Sequence, residues 1–345
     1  MMSSRVTAGV LIAFIVGLLT PLPAAGAQNF DSRLVAQDKA PAKRGAGETV
    51  GGLARDARKV ADEAATKAAT AVRSQPWIWL NVSGAALSLV TLWLFNVIRP
   101  GSPARAGLRN LGSHPWWLWG LCALLTYVGA ALTAGGVQAL PLVASLPKES
   151  AKAQVLITGG AYAGGLAIAL LLIRLMGAAG KSAGLGVCPR CLGGGFIAFL
   201  FAFPVVNATG LGAAGLHTLV TGQSIDTLAH GTLRLLVEQR HSAWAWSLAG
   251  LAVVGAPVYE EILYRGFVQS AFLHLTGKAW TSILLASGVF AAMHIPGTGM
   301  PWYAIATIFV LGVTMGLAYE RTKRIGVPIV MHVLFNLSNV VMAMA

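Results

Sequence analysis

Leu251-Ala252-Val253-Val254-Gly255-Ala256-Pro257-Val258-Tyr259-Glu260-Glu261-Ile262-Leu263-Tyr264-Arg265 is an apolar run that ends in two adjacent carboxylates and a guanidinium. Charge inside an apolar helix is costly, so such residues mark function by default. Neighbours on a helix point about 100° apart, so the two glutamates cannot share one role. Glu261 and Arg265 stand at i,i+4 with the acid N-terminal to the base, the favourable order for an ion pair. Arg265 then neutralises Glu261 and leaves Glu260 facing elsewhere. A half-buried carboxylate without a full partner is placed to act as a general base. The plainer alternative is a cluster of helix-end charges at a membrane surface.

Two more polar groups interrupt apolar stretches further on. His294 closes Phe290-Ala291-Ala292-Met293-His294, the end of an apolar run from Ser282 to Ile295. A lone histidine there is either structural or catalytic. His332 and Asn336 in His332-Val333-Leu334-Phe335-Asn336 stand at i,i+4 and share a helix face. Two donors on one rigid face suit an oxyanion hole; otherwise they are a polar pair that holds helices together.

Taken together, Glu260-Glu261…Arg265, Phe290…His294 and His332…Asn336 resemble the motifs EExxxR, FxxxH and HxxxN of the CPBP family. These are the CAAX-processing and bacteriocin-processing intramembrane endopeptidases. Each motif alone is weak, whereas the three in order are specific. The resemblance covers roughly Phe196 to Met344. It implies an all-α, polytopic transmembrane bundle of about eight spans. It also implies hydrolysis of a peptide bond by a water activated between Glu260 and His294. In that scheme His332 and Asn336 stabilise the oxyanion, Glu261 and Arg265 hold the motif helix, and Phe290 packs beside the site. Family members are often described as metalloproteases. A catalytic zinc wants three protein ligands and a water, which Glu260, His294 and His332 would supply. The chain has no His-Glu-x-x-His helix, and Asn336 is a poor zinc ligand, so glutamate catalysis without a metal is favoured and zinc stays open. Two other readings stay open as well. One is a non-catalytic scaffold or bacteriocin-immunity-type factor that keeps the fold. The other is a transporter with the same residues on an ion path, against which no pair of broken helices recurs in matching halves.

The rest of the chain agrees with a membrane protein. Of its 345 residues, 56% are hydrophobic and only 11% charged, against about 25% charged in an ordinary soluble domain. The formal charge of +13 would point to nucleic acid in a soluble protein. Here the basic residues cluster between apolar runs, and no basic stripe with interleaved aromatics reads as a nucleic-acid surface. Eight runs follow Pro76: Trp77–Ile98, Trp116–Ala144, Val155–Met176, Phe196–Val220, Trp244–Leu275, Trp280–Ile295, Trp302–Tyr319 and Val327–Met344. The fifth is too long for one straight span and carries charge in its second half. Tryptophans near run ends, Trp119 among them, read as an aromatic belt. Glycines 159, 160, 164 and 165 favour close helix packing over a ligand site.

Basic residues follow the first run (Arg99, Arg105, Arg109), the third (Arg174, Lys181, Arg190) and the seventh (Arg321, Lys323, Arg324). The positive-inside rule then puts these loops in the cytoplasm. Glu260 and His332 fall near that side. His294, late in an in-to-out run, does not, unless the sixth run is re-entrant or deeply tilted.

Before Pro76, Val6 to Leu19 is an apolar stretch behind Arg5, and Ala25-Gly26-Ala27 offers a cleavage site. Residues 1–27 therefore read as a signal peptide, with an uncleaved anchor as the alternative. Residues 28–75, with nine Lys/Arg and six Asp/Glu, read as a polar, alanine-rich extracytoplasmic arm or linker. Residues 76–195 are then N-terminal transmembrane helices and residues 196–345 the protease-type core. The expected setting is a bacterial inner membrane, with lipid and a membrane-associated peptide or protein as partners. The three cysteines, Cys122, Cys188 and Cys191, build no disulfide framework, and the single Cys188–Cys191 pair gives half a zinc knuckle at most. The sequons at Asn81 and Asn207 fall in expected spans and are read as chance.

Overall fold

A computed structural model describes residues 76–186, 189–222, 231–295 and 301–344. The signal-peptide and arm assignments, and Cys188, lie outside these residues. The described residues from Val82 to Met344 form one compact unit. They are helical throughout, with no strand among them.

Every apolar run becomes a helix: α1 Pro76–Leu94, α2 Trp116–Ala139, α3 Ala151–Met176, α4 Arg190–Thr221, α5 residues 243–276, α6 Ala279–Ala292, α7 Trp302–Thr322 and α8 Gly326–Met344. Six of them, α1 to α4 with α7 and α8, are long and apolar enough to cross a membrane. Against an expected count of about eight spans, six helices are long and apolar enough to cross, and the other two runs form unusual helices. The fifth, α5, is interrupted and charged. The sixth, α6, has 14 residues, so it rises only about 21 Å against roughly 30 Å of hydrocarbon.

The polarity of the unit is inverted relative to a water-soluble protein. Leu132, Leu175 and Val220 are more than two-thirds exposed, while Glu261, Arg265, Gln269 and Glu320 are almost wholly buried. Hydrocarbon around the bundle explains this, since exposed leucine costs nothing there and exposed charge costs much. Both sequon asparagines sit inside helices, Asn81 in α1 and Asn207 in α4. Trp119 departs from the belt reading. It is fully buried, on α2 beside Cys122 and Ala123 in the main apolar core.

Helices α2 and α3 pack along much of their length, and the glycines explain how. A Cβ at Gly160 would lie 2.7 Å from Val137 of α2, and one at Gly165 would lie 3.0 Å from Ala130 of α2 and 2.5 Å from the Tyr259 ring of α5. At Gly164 it would overlap Thr133. Helix α4 packs on α7 and α8, and α7 packs on α6. A Cβ at Gly312 of α7 would meet Ser287 of α6 at 3.0 Å.

Three basic segments meet at one end of the unit. Arg321 donates to the Ser102 carbonyl at 3.2 Å, and Lys323 donates to the Ala106 carbonyl at 3.1 Å. Tyr319 donates to the Ala183 carbonyl, and the Ile325 amide donates to the Gly184 carbonyl. The loops after α1, α3 and α7 therefore share one face, as their charge pattern requires. Arg109 is the exception among the orientation charges. It is buried, with its Nη2 at 2.8 Å from Glu320 Oε1.

Candidate active site

The site begins with a backbone distortion in α5. The helix is α over Ala243–Gly250, widens to a π-turn over Leu251–Gly255, returns to α over Ala256–Glu261, widens again over Ile262–Val268 and ends as α over Gln269–Thr276. Pro257 accounts for the first widening. Proline has no N–H to bond four residues back, and its ring crowds the carbonyl there. The ladder slips by one residue, and the Ala256 amide bonds to the Leu251 carbonyl five residues away. Such π-turns recur at functional sites. Here two of them bracket the single α-turn that carries Glu260 and Glu261.

Glu261 is fully buried. Its Oε1 accepts a hydrogen bond from His332 Nδ1 at 2.9 Å. Its Oε2 lies 3.1 Å from Arg265 Nε, the i,i+4 pair that the spacing predicts. Arg265 donates from Nη2 to the Gly312 carbonyl at 3.2 Å and lies over the Phe290 ring, 4.4 Å from its centroid. A buried carboxylate of this kind needs both a charge partner and hydrogen bonds, and Glu261 has both.

The bond to Glu261 orients His332. A carboxylate only accepts, so Nδ1 carries the hydrogen and Nε2 is turned to the other side. There it stands 3.9 Å from Glu260 Oε2, which is too long for a direct hydrogen bond. The Glu260 side chain keeps 17% exposure against none for Glu261. The adjacent glutamates therefore do differ, one locked in the core and one at an opening.

His294 follows the end of α6. Its Nδ1 lies 2.8 Å from the Phe290 carbonyl, which again puts the hydrogen on Nδ1. The Phe290 ring is the hub of the cluster. It stands edge-to-face with Tyr264 at 5.1 Å, His294 at 4.7 Å and His332 at 6.0 Å between centroids. The shortness of α6 removes the depth mismatch foreseen for His294. The helix stops at Ala292, and its last turn lies against the Glu261–Arg265–His332 layer rather than beyond it.

Asn336 is placed differently. It shares the face of His332, but its Nδ2 donates to the Ala252 carbonyl at 2.8 Å, one turn and more before the glutamates. Among the described residues no group of three or more His, Cys, Asp or Glu is gathered as a metal would require. Glu260, His294 and His332 thus do not form a zinc-sized set.

The spacing argument missed two features. The first is the Glu261–His332 bond, which joins residues 71 positions apart. The second is a buried polar cluster one to two turns past Arg265. Gln269 Nε2 donates to Glu320 Oε1 at 2.9 Å and to the Gly316 carbonyl at 3.1 Å. Arg109 donates to the same carboxylate and to Ser270, with its guanidinium 4.0 Å over the Tyr319 ring. Burial opposes the charge on Arg109, but Tyr319 and Glu320 outweigh it and hold its pKa above the usual guanidinium value. The i,i+4 step from Arg265 to Gln269 was the available signal.

The fold and site define a helical membrane protein in which a buried Glu261–Arg265–His332 cluster joins two apolar helices beside the end of a third. Its class can be stated more closely. Residues 242–338 match the family model described as Rce1-like, type II CAAX prenyl endopeptidase Rce1-like. The match runs from the start of α5 into α8 and contains all three motifs. This segment is therefore similar to the CPBP/CAAX protease family, which supports an intramembrane endopeptidase in general terms. Comparison with curated proteins and with solved structures finds no match.

Proposed function

We propose that the protein hydrolyses a peptide bond in a membrane-associated peptide or protein, with Glu260 as general base. The observation that carries this reading is the arrangement of the two glutamates. Glu261 is spent on Arg265 and His332, while Glu260 stays partly exposed with His332 Nε2 facing it at 3.9 Å. A water bound at this opening gives its proton to Glu260 as it attacks the carbonyl carbon, and Glu260 returns that proton to the amide nitrogen as the C–N bond breaks. His294 is the second group that orients this water. Once protonated at Nε2, His332 is a donor for the developing oxyanion, and buried Glu261 stabilises that imidazolium. Removing such a donor typically costs roughly 100- to 1000-fold in rate.

The reading needs no metal. Zinc would have to draw Glu260, His294 and His332 together, and the donor set as placed does not fit it, so no step is routed through zinc. Chelators are expected to leave cleavage intact. Loss on chelation with recovery on adding zinc would contradict this. The basic loops at one end support, by the positive-inside rule, a site towards the cytoplasmic face of a bacterial inner membrane. The chemical class of substrate is a peptide chain that enters from the bilayer. The family description names prenylated CAAX termini, and such a peptide is a reasonable first probe.

The test compares protein termini in membranes from cells that carry wild type or Glu260→Gln at matched expression and thermal stability. Termini present only with wild type establish proteolysis and identify a substrate. Equal termini across growth conditions would favour the scaffold reading, in which the same buried cluster merely holds the bundle.

A further inference from the structure

The carbonyl of Ala252 is left without a backbone partner by the π-turn of α5. Its ordinary donor is the Ala256 amide, which is bonded instead to Leu251. The donor next in register for a π-turn is residue 257, which is proline and has no N–H. Inside a membrane an unsatisfied carbonyl has no water to turn to. Asn336 Nδ2 fills this position at 2.8 Å.

We propose that Asn336 is a positioning residue that repairs the gap left by Pro257 and thereby sets His332 against the two glutamates. Two bonds tie α8 to α5: His332 to Glu261 and Asn336 to the Ala252 carbonyl. They run antiparallel, since the earlier residue on α8 meets the later one on α5. With only the first bond, α8 can pivot about Glu261. The second bond fixes the pivot, so the 3.9 Å approach of His332 Nε2 to Glu260 depends on it. Asn336 thus acts on the site through His332. The role of His332 in catalysis rests on the endopeptidase reading, but the positioning itself does not.

The test is a double-mutant cycle in the purified full chain, with Asn336→Ala and Pro257→Ala alone and together. Its readouts are the thermal midpoint and the ring-nitrogen NMR signals of His332, neither of which uses a substrate. Failure of the endopeptidase reading therefore leaves the test intact. Asn336→Ala exposes one buried acceptor, and a fall of roughly 4 °C is expected, with a shifted or broadened His332 signal. Restoring an N–H at residue 257 gives Ala252 a backbone donor, so in the Pro257→Ala background Asn336→Ala should lose most of both effects. Asn336→Asp keeps the shape but puts an oxygen against the carbonyl, and it should behave at least as badly as alanine. Equal effects of Asn336→Ala in both backgrounds would overturn the proposal. So would a fall in midpoint with an unchanged His332 signal, since that is what a purely structural tie would give.

Discussion

Helices α2 and α3 and helices α5 to α8 meet the same apolar surroundings in opposite ways. In residues 116–176 the only buried polar side chain is Thr126, and the backbone is regular. Glycine lets the two helices approach closely. In residues 243–344 eight polar or charged side chains are buried, and α5 carries two π-turns. Association in a membrane does not need these charges. Their presence on an irregular backbone, in the segment that matches the endopeptidase family, locates the chemistry. On the proposed reading the first pair is scaffold, and the second set holds the groups that act.

Substitutions can break or sharpen this contrast. The largest effect is expected in the second region at Glu260. Glu260→Gln should lower cleavage by about 100- to 10,000-fold, measured as the rate at which wild-type-dependent termini appear, with the folded fraction unchanged. Next comes Arg265→Met, which leaves Glu261 buried and uncompensated. Its expected cost is about 3–5 kcal/mol of stability, read as the thermal midpoint and yield of monodisperse protein. Adding Glu261→Gln should recover much of the loss, because the pair is then removed together. In the first region, Gly164→Leu drives a side chain into Thr133 and should cost about 1–3 kcal/mol. The protein that does fold should cleave at the wild-type rate. The smallest effect belongs to Leu132→Ala, whose side chain is 71% exposed. A change within about 0.5 kcal/mol in the same melting assay is expected. If Leu132→Ala and Arg265→Met shifted the midpoint equally, the inside-out polarity of the unit would be refuted.

Much of the fold was legible because hydropathy is a local signal. All eight runs became helices, and Glu261 met Arg265 because i,i+4 neighbours on a helix are brought together by geometry alone. The glycines of α3 were legible for a similar reason, since a lipid-facing pair of helices needs small residues at its seam. What spacing could not supply was pairing across the chain. The partner of Glu261 on α8, the burial of Trp119 and the Arg109–Glu320 contact all depend on which helices become neighbours. Arg109 had been counted among the orientation charges, yet it is held in the core by Glu320. The step from His332 to Asn336 suggests an oxyanion donor; it does not reveal that the Asn336 amide also donates to the Ala252 carbonyl. Pro257 inside an apolar run was the sign that this carbonyl would need help.

The account turns on the claim that two neighbouring glutamates have separate duties. The most direct measurement is of Glu260→Gln and Glu261→Gln, purified side by side, with folded fraction and cleavage of one identified substrate read from the same preparations. The prediction is a dissociation. Glu260→Gln should melt like wild type and fail to cleave, while Glu261→Gln should lose folded protein because Arg265 is left buried alone. Cleavage retained by a well-folded Glu260→Gln would contradict the account.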